Sequence, residues 1–128
     1  MPEIVHVPPP ASARGVPPLS YGARVGNLLF VSGLPGWDED GRLSPDFATQ
    51  FRHVLRALDA VLAAAGADRR RIAKANVYLT REEDVATMNG LYAEAFGPAP
   101  YPARTTVVVR ALPNPDMLLE IECVVALG

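Results

Sequence analysis

The apolar positions between residues 44 and 66 recur every three or four residues, which is the period of an amphipathic helix. The residues of this apolar stripe are Phe47, Phe51, Val54, Leu55, Leu58, Val61 and Leu62. Ser44 as the N-cap, Pro45 at the first helical position and Asp46 in the first turn predict where the helix begins. Gly66 at the C′ position predicts its end. The pattern indicates one long helix that packs a single face against the rest of the fold.

Shorter runs of β-branched and aromatic residues on both sides of this helix predict strands. Residues 20–25 and 28–32 flank a two-residue Gly-Asn connection, which permits a tight primed hairpin turn. Residues 3–7 are a candidate first strand, and residues 72–79 form a strand after the helix. Because the helix separates that strand from the preceding one, we expect a right-handed parallel crossover.

A second helix is predicted after residue 80, where Thr80 and Glu83 have the spacing of a capping box. Its buried face consists of Val85, Met88, Tyr92 and Phe96. A Gly-Pro pair at residues 97–98 ends it, and two final strands at residues 104–110 and 118–126 are joined by a proline-containing turn. The order ββ-α-β-α-ββ predicts an α+β fold whose mixed sheet is covered on one face by two helices.

Length and composition bear on domain number and assembly. A chain of 128 residues without a repeat or a shift in composition is the size of a single domain, residues 1–128. Hydrophobic residues make up 49% of the chain, and the helices leave one sheet face without cover. We therefore expect other copies of the chain to cover that face.

The charge distribution argues against a nucleic-acid partner. The 12 basic and 14 acidic residues are spread along the chain and give a formal net charge of −2, so no basic stripe matches a phosphate backbone. The one basic run, residues 69–71, is interpreted as a solvated turn. No run approaches the ~18 apolar residues of a membrane span, and the proline-rich start does not resemble a signal peptide. We expect a cytoplasmic protein with no membrane partner.

Metal and nucleophile motifs are not found in the sequence. His6 and His53 lie far apart without the spacing of metal ligands, and no Gly-x-Ser-x-Gly or phosphate-binding loop occurs. His53 falls off the helical stripe and is interpreted as a surface residue. Cys123 lies in an apolar run, where a thiol is normally a packing group. We therefore predict that the protein uses neither a metal nor another cofactor.

Arg104 begins a strand that continues into three valines, and a fixed guanidinium at such a place suits a planar carboxylate. Taken alone, it is more often an ordinary exposed arginine. Alternation puts Arg104 and Thr106 on one face, and Glu120 and Glu122 on one face of the last strand. Antiparallel pairing of these two strands would bring the arginine and one glutamate near a common site, although glutamates on a solvated sheet face are the simpler interpretation.

Several segments, in this order and spacing, resemble the Rid family of enamine and imine deaminases, also called RidA-like or YjgF-like. The segments are residues 24–33 with Gly-Asn and Val-Ser-Gly, Ala65-Gly66, Val77-Tyr78-Leu79, residues 88–92, Pro102-Ala103-Arg104, Leu112-Pro113 and Glu120-Ile121-Glu122. The resemblance runs from end to end. It implies a chorismate-mutase-like α+β fold and a homotrimer with three sites in clefts between subunits.

The resemblance also implies roles for residues. The family's carboxylate-binding arginine corresponds to Arg104 and its water-orienting glutamate to Glu120. Asn89 is interpreted as a buried residue that bonds backbone near the site. The substrate-binding residues implied beside Arg104 are Thr106, Tyr21, Leu19, Leu34, Gly33 and Asn89. The implied reaction is hydrolysis of 2-imino or 2-aminoacrylate-type acids to 2-keto acids and ammonia.

The chain departs from the family pattern at four of these positions. Leu19 replaces a frequent tyrosine, Tyr21 and Leu34 each replace a glutamine, and Thr106 replaces a frequent cysteine. Positions 19 and 21 are expected to share a strand face, so that Tyr21 reaches the same pocket. Together with Trp37, these residues predict a more apolar pocket.

Two alternatives remain open at this point. A binding protein or regulator for small carboxylic acids would keep the fold and the arginine without catalysis, and the leucines at positions 19 and 34 make it plausible. A ribonuclease or translation inhibitor is a label that the family has sometimes carried. The lack of a basic patch counts against it.

Overall fold

The computed structural model describes residues 2–11, 13 and 15–128. Its elements are β1 (Ile4–Val7), β2 (Gly22–Val25), β3 (Leu28–Leu34), α1 (Phe47–Ala64), β4 (Ile72–Leu79), α2 (Val85–Phe96), β5 (Ala103–Val108) and β6 (Leu119–Ala126). All six strands form one sheet in the order β1-β2-β3-β6-β4-β5. The predicted mixed α+β fold is confirmed, and the candidate first strand is present.

The hairpin and the crossover follow the predicted pattern with one addition. Val25 pairs with Leu28 across the two-residue turn, and Gly26 adopts a φ of 56° that a side chain would disfavour. Strands β3 and β4 are both antiparallel to β6, so they run parallel to each other. Strand β6, the last strand in the sequence, lies between them. The connection through α1 therefore passes over β6.

The predicted pairing of the last two strands is wrong. Strand β5 pairs in parallel with β4, and β4 separates it from β6. The reason is the helix between β4 and β5, because a βαβ connection brings the second strand parallel to the first. Strand β5 consequently lies at an edge of the sheet.

Helix α1 begins two residues later than predicted and ends where predicted. Asp46 is the N-cap: its carboxylate accepts from the Thr49 amide at 2.9 Å and from the Thr49 hydroxyl at 2.7 Å. The Ser44 hydroxyl accepts from the Asp46 amide at 3.1 Å, which orders the turn before the helix. At the other end Gly66 has a φ of 72°, and the Ala67 amide donates to the Leu62 carbonyl as in a Schellman motif.

The predicted capping box of the second helix is wrong. Thr80 continues the backbone pairing of β4 by donating to the Leu118 carbonyl, so it is not free to start a helix. A short 3₁₀ turn follows, in which Arg81 donates to both oxygens of the Asp84 carboxylate at 2.7 and 3.0 Å. Helix α2 then begins at Val85, later than the predicted start after residue 80. It ends at Phe96 before Gly97, where its end was predicted.

Both helices pack on one face of the sheet. The buried apolar residues of α1 are the predicted stripe, except that Leu55 is half-buried. The predicted buried residues of α2 are buried except for the half-buried Val85. The basic run is a 3₁₀ turn rather than a freely solvated one, since Arg69 binds the Asp59 carboxylate at 2.8 and 2.7 Å and the Ala95 carbonyl at 3.1 Å. That contact ties the end of α2 to α1.

Gln50 is a fully buried polar residue on α1 that the sequence did not indicate as structural. Its amide nitrogen donates to the Ser44 carbonyl at 2.6 Å and to the Asp116 carbonyl at 2.8 Å. Its side-chain oxygen accepts from the Leu118 amide at 3.0 Å. The side chain therefore fastens the turn before β6 to the start of α1.

Substituting Gln50→Leu keeps the volume but leaves three partly buried backbone groups without this partner. We expect it to lower the free energy of unfolding by about 2–4 kcal/mol, since each unsatisfied group costs about 1 kcal/mol or more. Urea unfolding of the variant measures this loss. The control Arg52→Ala, at an exposed position of the same helix, should change stability by less than about 0.5 kcal/mol, and an equal loss in both variants would contradict the role of Gln50.

Candidate active site

Arg104 lies on the helix-covered side of the sheet. It pairs in register with Ala75, which pairs in turn with Cys123, and both of those residues are buried in the core. Residues in register on neighbouring strands point to the same face. Because β5 is an edge strand, the long side chain of Arg104 reaches along the border of the core to α2 and remains exposed.

The guanidinium of Arg104 is held by three residues of α2. It donates to the Asn89 side-chain oxygen at 2.7 Å and to the Met88 sulfur at 3.9 Å. Its central carbon lies 4.6 Å from the centre of the Tyr92 ring, within the range of a cation–π contact. A guanidinium has five N–H donors, and three of them make no hydrogen bond to the residues that the structure describes. This arrangement fixes a planar cation that still has the capacity to bind a carboxylate at two points.

A cavity of about 370 Å³ opens beside this guanidinium. Its lining residues are Asn89, Tyr92, Ala93, Tyr101 and Arg104. The two aromatic rings and the one cation give the mixed apolar and polar character of a small-molecule site. The size suits a small organic acid.

Asn89 lines the cavity beside Arg104, but the prediction of its burial and of a backbone partner is wrong. It is exposed, and its side chain binds the Arg104 side chain rather than backbone. The reason is that Asn89 lies beside the Met88 and Tyr92 stripe of α2, where it faces the sheet edge instead of the core. It positions the guanidinium.

Thr106 shares the face of Arg104, as alternation predicts, since it pairs with the buried Val77. Its hydroxyl oxygen is buried and has no hydrogen-bond partner in the part of the chain that the structure describes. The hydroxyl oxygen of Tyr92 is likewise buried and has no hydrogen-bond partner among the described residues. Burial of the ring raises the pKa of Tyr92, so its hydroxyl stays protonated at neutral pH.

Glu120 lies on the opposite, open face. It pairs in register with Tyr78, which is three residues from Ala75 along β4, and an odd separation along a strand reverses the face. Within one chain, therefore, the strand register separates Arg104 from Glu120 rather than bringing them together. The earlier expectation of a common site within the chain is wrong for the same reason as the strand pairing, because β4 lies between β5 and β6.

The carboxylate of Glu120 lies against the backbone of β3 at Gly33. A Cβ atom at Gly33 would come within 2.6 Å of one carboxylate oxygen, so the glycine leaves the space that the glutamate occupies. Burial raises the pKa of Glu120, and the charge of Glu122 raises it further. A half-buried carboxyl group with a raised pKa can exchange protons nearer neutral pH than an ordinary glutamate.

The three other predicted binding residues lie in different places. Leu19 is exposed and lines a second cavity of about 380 Å³ on the open face, together with Phe30 and Ser32. Strand β2 begins only at Gly22, so positions 19 and 21 do not share a strand, and the half-buried ring of Tyr21 packs against the core. The prediction for Leu34 is corrected as well: it is 1% exposed within the core, because a bulge between residues 31 and 34 turns its side chain inward.

The sequence analysis missed four residues that lie near the Arg104 guanidinium or the glutamate carboxylates of β6. Tyr92 was interpreted only as a core residue of α2, and Tyr101 was not singled out, yet both line the cavity beside Arg104. Asn76 and Tyr78 on β4 both donate to the carboxylate of Glu122 on β6. The signal for Tyr92 was its position three residues after Asn89 on one helix face.

Other potentially reactive groups lie apart from these sites. Cys123 is a free, buried thiol, and burial raises its pKa to about 12, which makes it an inert packing group as predicted. Among the described residues, no group of three His, Cys, Asp or Glu side chains comes together as metal ligands would.

His53 is half-buried rather than exposed on the surface. Neither described helix combines the length and apolar character of a membrane span.

The fold and this geometry define a small α+β protein with an arginine beside a cavity at a sheet edge and a half-buried glutamate on the open face. Residues 11–127 match the family described as Endoribonuclease L-PSP, and the chain belongs to this family, which is also called the YjgF or Rid family. The resemblance inferred from the sequence is confirmed.

Relatives and solved structures agree with this assignment. A RutC family protein of Pyrococcus horikoshii is 40% identical over 113 residues, which are 87% of this chain and 88% of that protein. Reactive Intermediate Deaminase A of Arabidopsis thaliana is 37% identical over 127 residues, 98% of this chain and 66% of that protein. The crystal structure of the Rid family protein YyfA from Yersinia pestis superposes with a TM-score of 0.88 at 31% identity, covering 98% of this chain and 100% of that one.

Proposed function

We propose that this protein is a deaminase that hydrolyses reactive 2-imino acids and their enamine tautomers to 2-keto acids and ammonia. The observation that supports it most directly is the Arg104 guanidinium, which Asn89 and Tyr92 hold at the wall of a cavity. A 2-imino acid has a carboxylate next to an electrophilic carbon. Binding that carboxylate at two points fixes the position of the carbon.

We propose further that the working site is shared between chains of a homotrimer. Arg104 and Glu120 lie on opposite faces of one sheet, so a ligand held by one arginine meets the glutamate of a second chain. The open face has exposed apolar residues, including Leu28 and Phe30, that a second chain would bury. The edge strand β5 has unpaired backbone groups beside Arg104 that would lie at the same contact.

One carboxylate can carry out all the proton transfers of the reaction. The substrate enters as its iminium ion. The oxygen of a water molecule bonds to the imine carbon, and the C=N π electrons move to nitrogen. The carboxylate of Glu120 accepts the proton that this water loses. The protonated Glu120 then donates to the amine nitrogen. The C–N bond breaks and ammonia leaves with its electron pair, while the hydroxyl oxygen forms the C=O bond and loses its proton to the carboxylate. Glu120 then passes this last proton to the ammonia, which leaves the site as ammonium, and the carboxylate is restored.

The test generates imines in solution with an amino-acid oxidase and measures ammonia release in competition with semicarbazide trapping. We expect the purified protein to accelerate conversion to the 2-keto acid without added metal or cofactor. Binding of the keto acid without acceleration would contradict catalysis and favour a carboxylate-binding protein. Testing amino acids with a series of side chains in the same assay would identify the preferred substrate.

The family description also names an endoribonuclease activity. The net charge of −2 does not favour a polyanion. Incubation of the same preparation with RNA tests this alternative. Cleavage that persists in Arg104→Ala while deamination is absent would support a nuclease instead.

A further inference from the structure

The open face of the sheet has a second carboxylate beside Glu120. Glu122 lies two residues further along β6, and β4 places Asn76 opposite Glu122 and Tyr78 opposite Glu120. The Asn76 amide donates to one oxygen of Glu122 at 3.0 Å. The hydroxyl of Tyr78 donates to the same oxygen, although its own register partner is Glu120. The two donors of β4 therefore both bind Glu122.

The carboxylate of Glu120 differs from that of Glu122 in its hydrogen bonding. Within residues 2–11, 13 and 15–128, no side-chain or backbone donor binds its carboxylate. It is half-buried against Gly33, so water replaces those donors only in part. One carboxylate of the pair thus receives two hydrogen bonds from β4, and the other receives none from the described residues.

We propose that Glu122, held by Asn76 and Tyr78, is a positioning residue that makes Glu120 the proton carrier of the site. This inference rests on the proposed deaminase function and assigns a residue that neither the fold nor the arginine requires. Two carboxylates that share one environment do not ionise independently. Because Asn76 and Tyr78 both bind Glu122, Glu120 is the carboxyl of the pair that is open to exchange a proton.

The surrounding charges are consistent with this division. Among the described residues of this face, the titratable groups near Glu120 are Glu122 on its own strand and Tyr78 and Lys74 on β4. Lys74 is further away and binds the Thr105 hydroxyl at 2.9 Å. Strand β3 contributes Gly33 and no charged side chain. The hydrogen bond to Glu122 raises the pKa of Tyr78, so the phenol remains a donor throughout the working range.

The experiment compares the pH dependence of kcat/KM in wild type and Glu122→Gln. Glutamine keeps an oxygen for Asn76 and Tyr78 but removes the charge. The midpoint of the acidic limb, where Glu120 loses its proton, should move to lower pH, because the charge of Glu122 no longer opposes that ionisation. Glu122→Asp retains the charge and should bring the midpoint back toward the wild-type value.

The matched control is Glu94→Gln, which removes one exposed carboxylate from α2 and changes the net charge equally. Its midpoint should stay at the wild-type value. An acidic limb that is unmoved in a folded, active Glu122→Gln variant would overturn the proposal, and a loss of thermal stability alone would mean a structural role. If Glu120→Gln retains full activity, the proposed deaminase mechanism fails instead, so the two failures are distinguishable.

A second measurement covers the case in which Glu122→Gln does not fold. Carbon-13 NMR of the glutamate side chains in the wild-type protein should show one carboxyl that titrates above the exposed glutamates and disappears in Glu120→Gln. If the signal lost in Glu120→Gln titrates with the exposed glutamates, Glu120 is not the proton carrier and the proposal is wrong.

Discussion

Substituting Arg104→Ala is expected to lower kcat/KM for imine hydrolysis by about three orders of magnitude, because two charge-assisted hydrogen bonds of roughly 2 kcal/mol each are lost with the guanidinium. The loss should appear in KM and kcat together. Without the arginine, the carboxylate binds weakly and the imine carbon is no longer positioned for attack. The semicarbazide competition assay with in-situ imines measures both constants.

Two further variants make this result specific. Arg104→Lys retains the charge but not the planar pair of donors, and we expect it to recover only part of the lost rate. Arg110→Ala removes an arginine from an exposed position just after β5 and should leave kcat/KM within about twofold of wild type. Equal activity of Arg104→Ala and Arg110→Ala would exclude Arg104 as the carboxylate-binding residue.

Glu120→Gln is expected to lower kcat by about two to four orders of magnitude, which is the usual range for loss of a general acid or base. KM should change little, since the carboxylate anchor is intact. The wild-type acidic limb of kcat/KM should lie above the ordinary range of an exposed glutamate, because burial and Glu122 raise the pKa of Glu120 and only the ionised group accepts a proton from water.

The measurement is the pH profile of kcat and kcat/KM for wild type and for Glu120→Gln. The control Glu94→Gln should behave as wild type. A Glu120→Gln variant that keeps both its rate and its acidic limb would show that another group handles the proton.

The fold followed from the sequence where the determining pattern was local. The stripe of α1, the glycine that ends it and the hairpin turn each depend on residues within one or two turns of chain. The N-terminal boundary of α2 did not follow, because Thr80 bonds to Leu118 and Asp84 binds Arg81. The pairing of β5 with β4 also depends on a contact between distant segments.

The candidate site was predictable in its residue types and not in its arrangement. Arg104 and Glu120 followed from the resemblance, and the alternation of β5 correctly grouped Arg104 with Thr106. Their placement on opposite faces depends on which strand lies between them, and a local pattern does not contain that information. Leu34 was misplaced because a bulge shifts the alternation of β3, and a one-residue slip exchanges the two faces.

The central claim is that one catalytic site combines Arg104 from one chain with Glu120 from another. Two inactive variants, Arg104→Ala and Glu120→Gln, are mixed in equal amounts under conditions that exchange subunits. About one quarter of the wild-type activity should return, because random assortment in a cyclic trimer gives each interface an intact arginine and an intact glutamate with that frequency.

The control mixes either single variant with the double variant Arg104→Ala/Glu120→Gln, which should restore nothing. Mass spectrometry of the mixture confirms that the subunits have exchanged. Recovery of about one quarter of the activity is the result predicted by a site shared between chains. No recovery in fully exchanged trimers would mean that both groups act from the same chain, which contradicts the account.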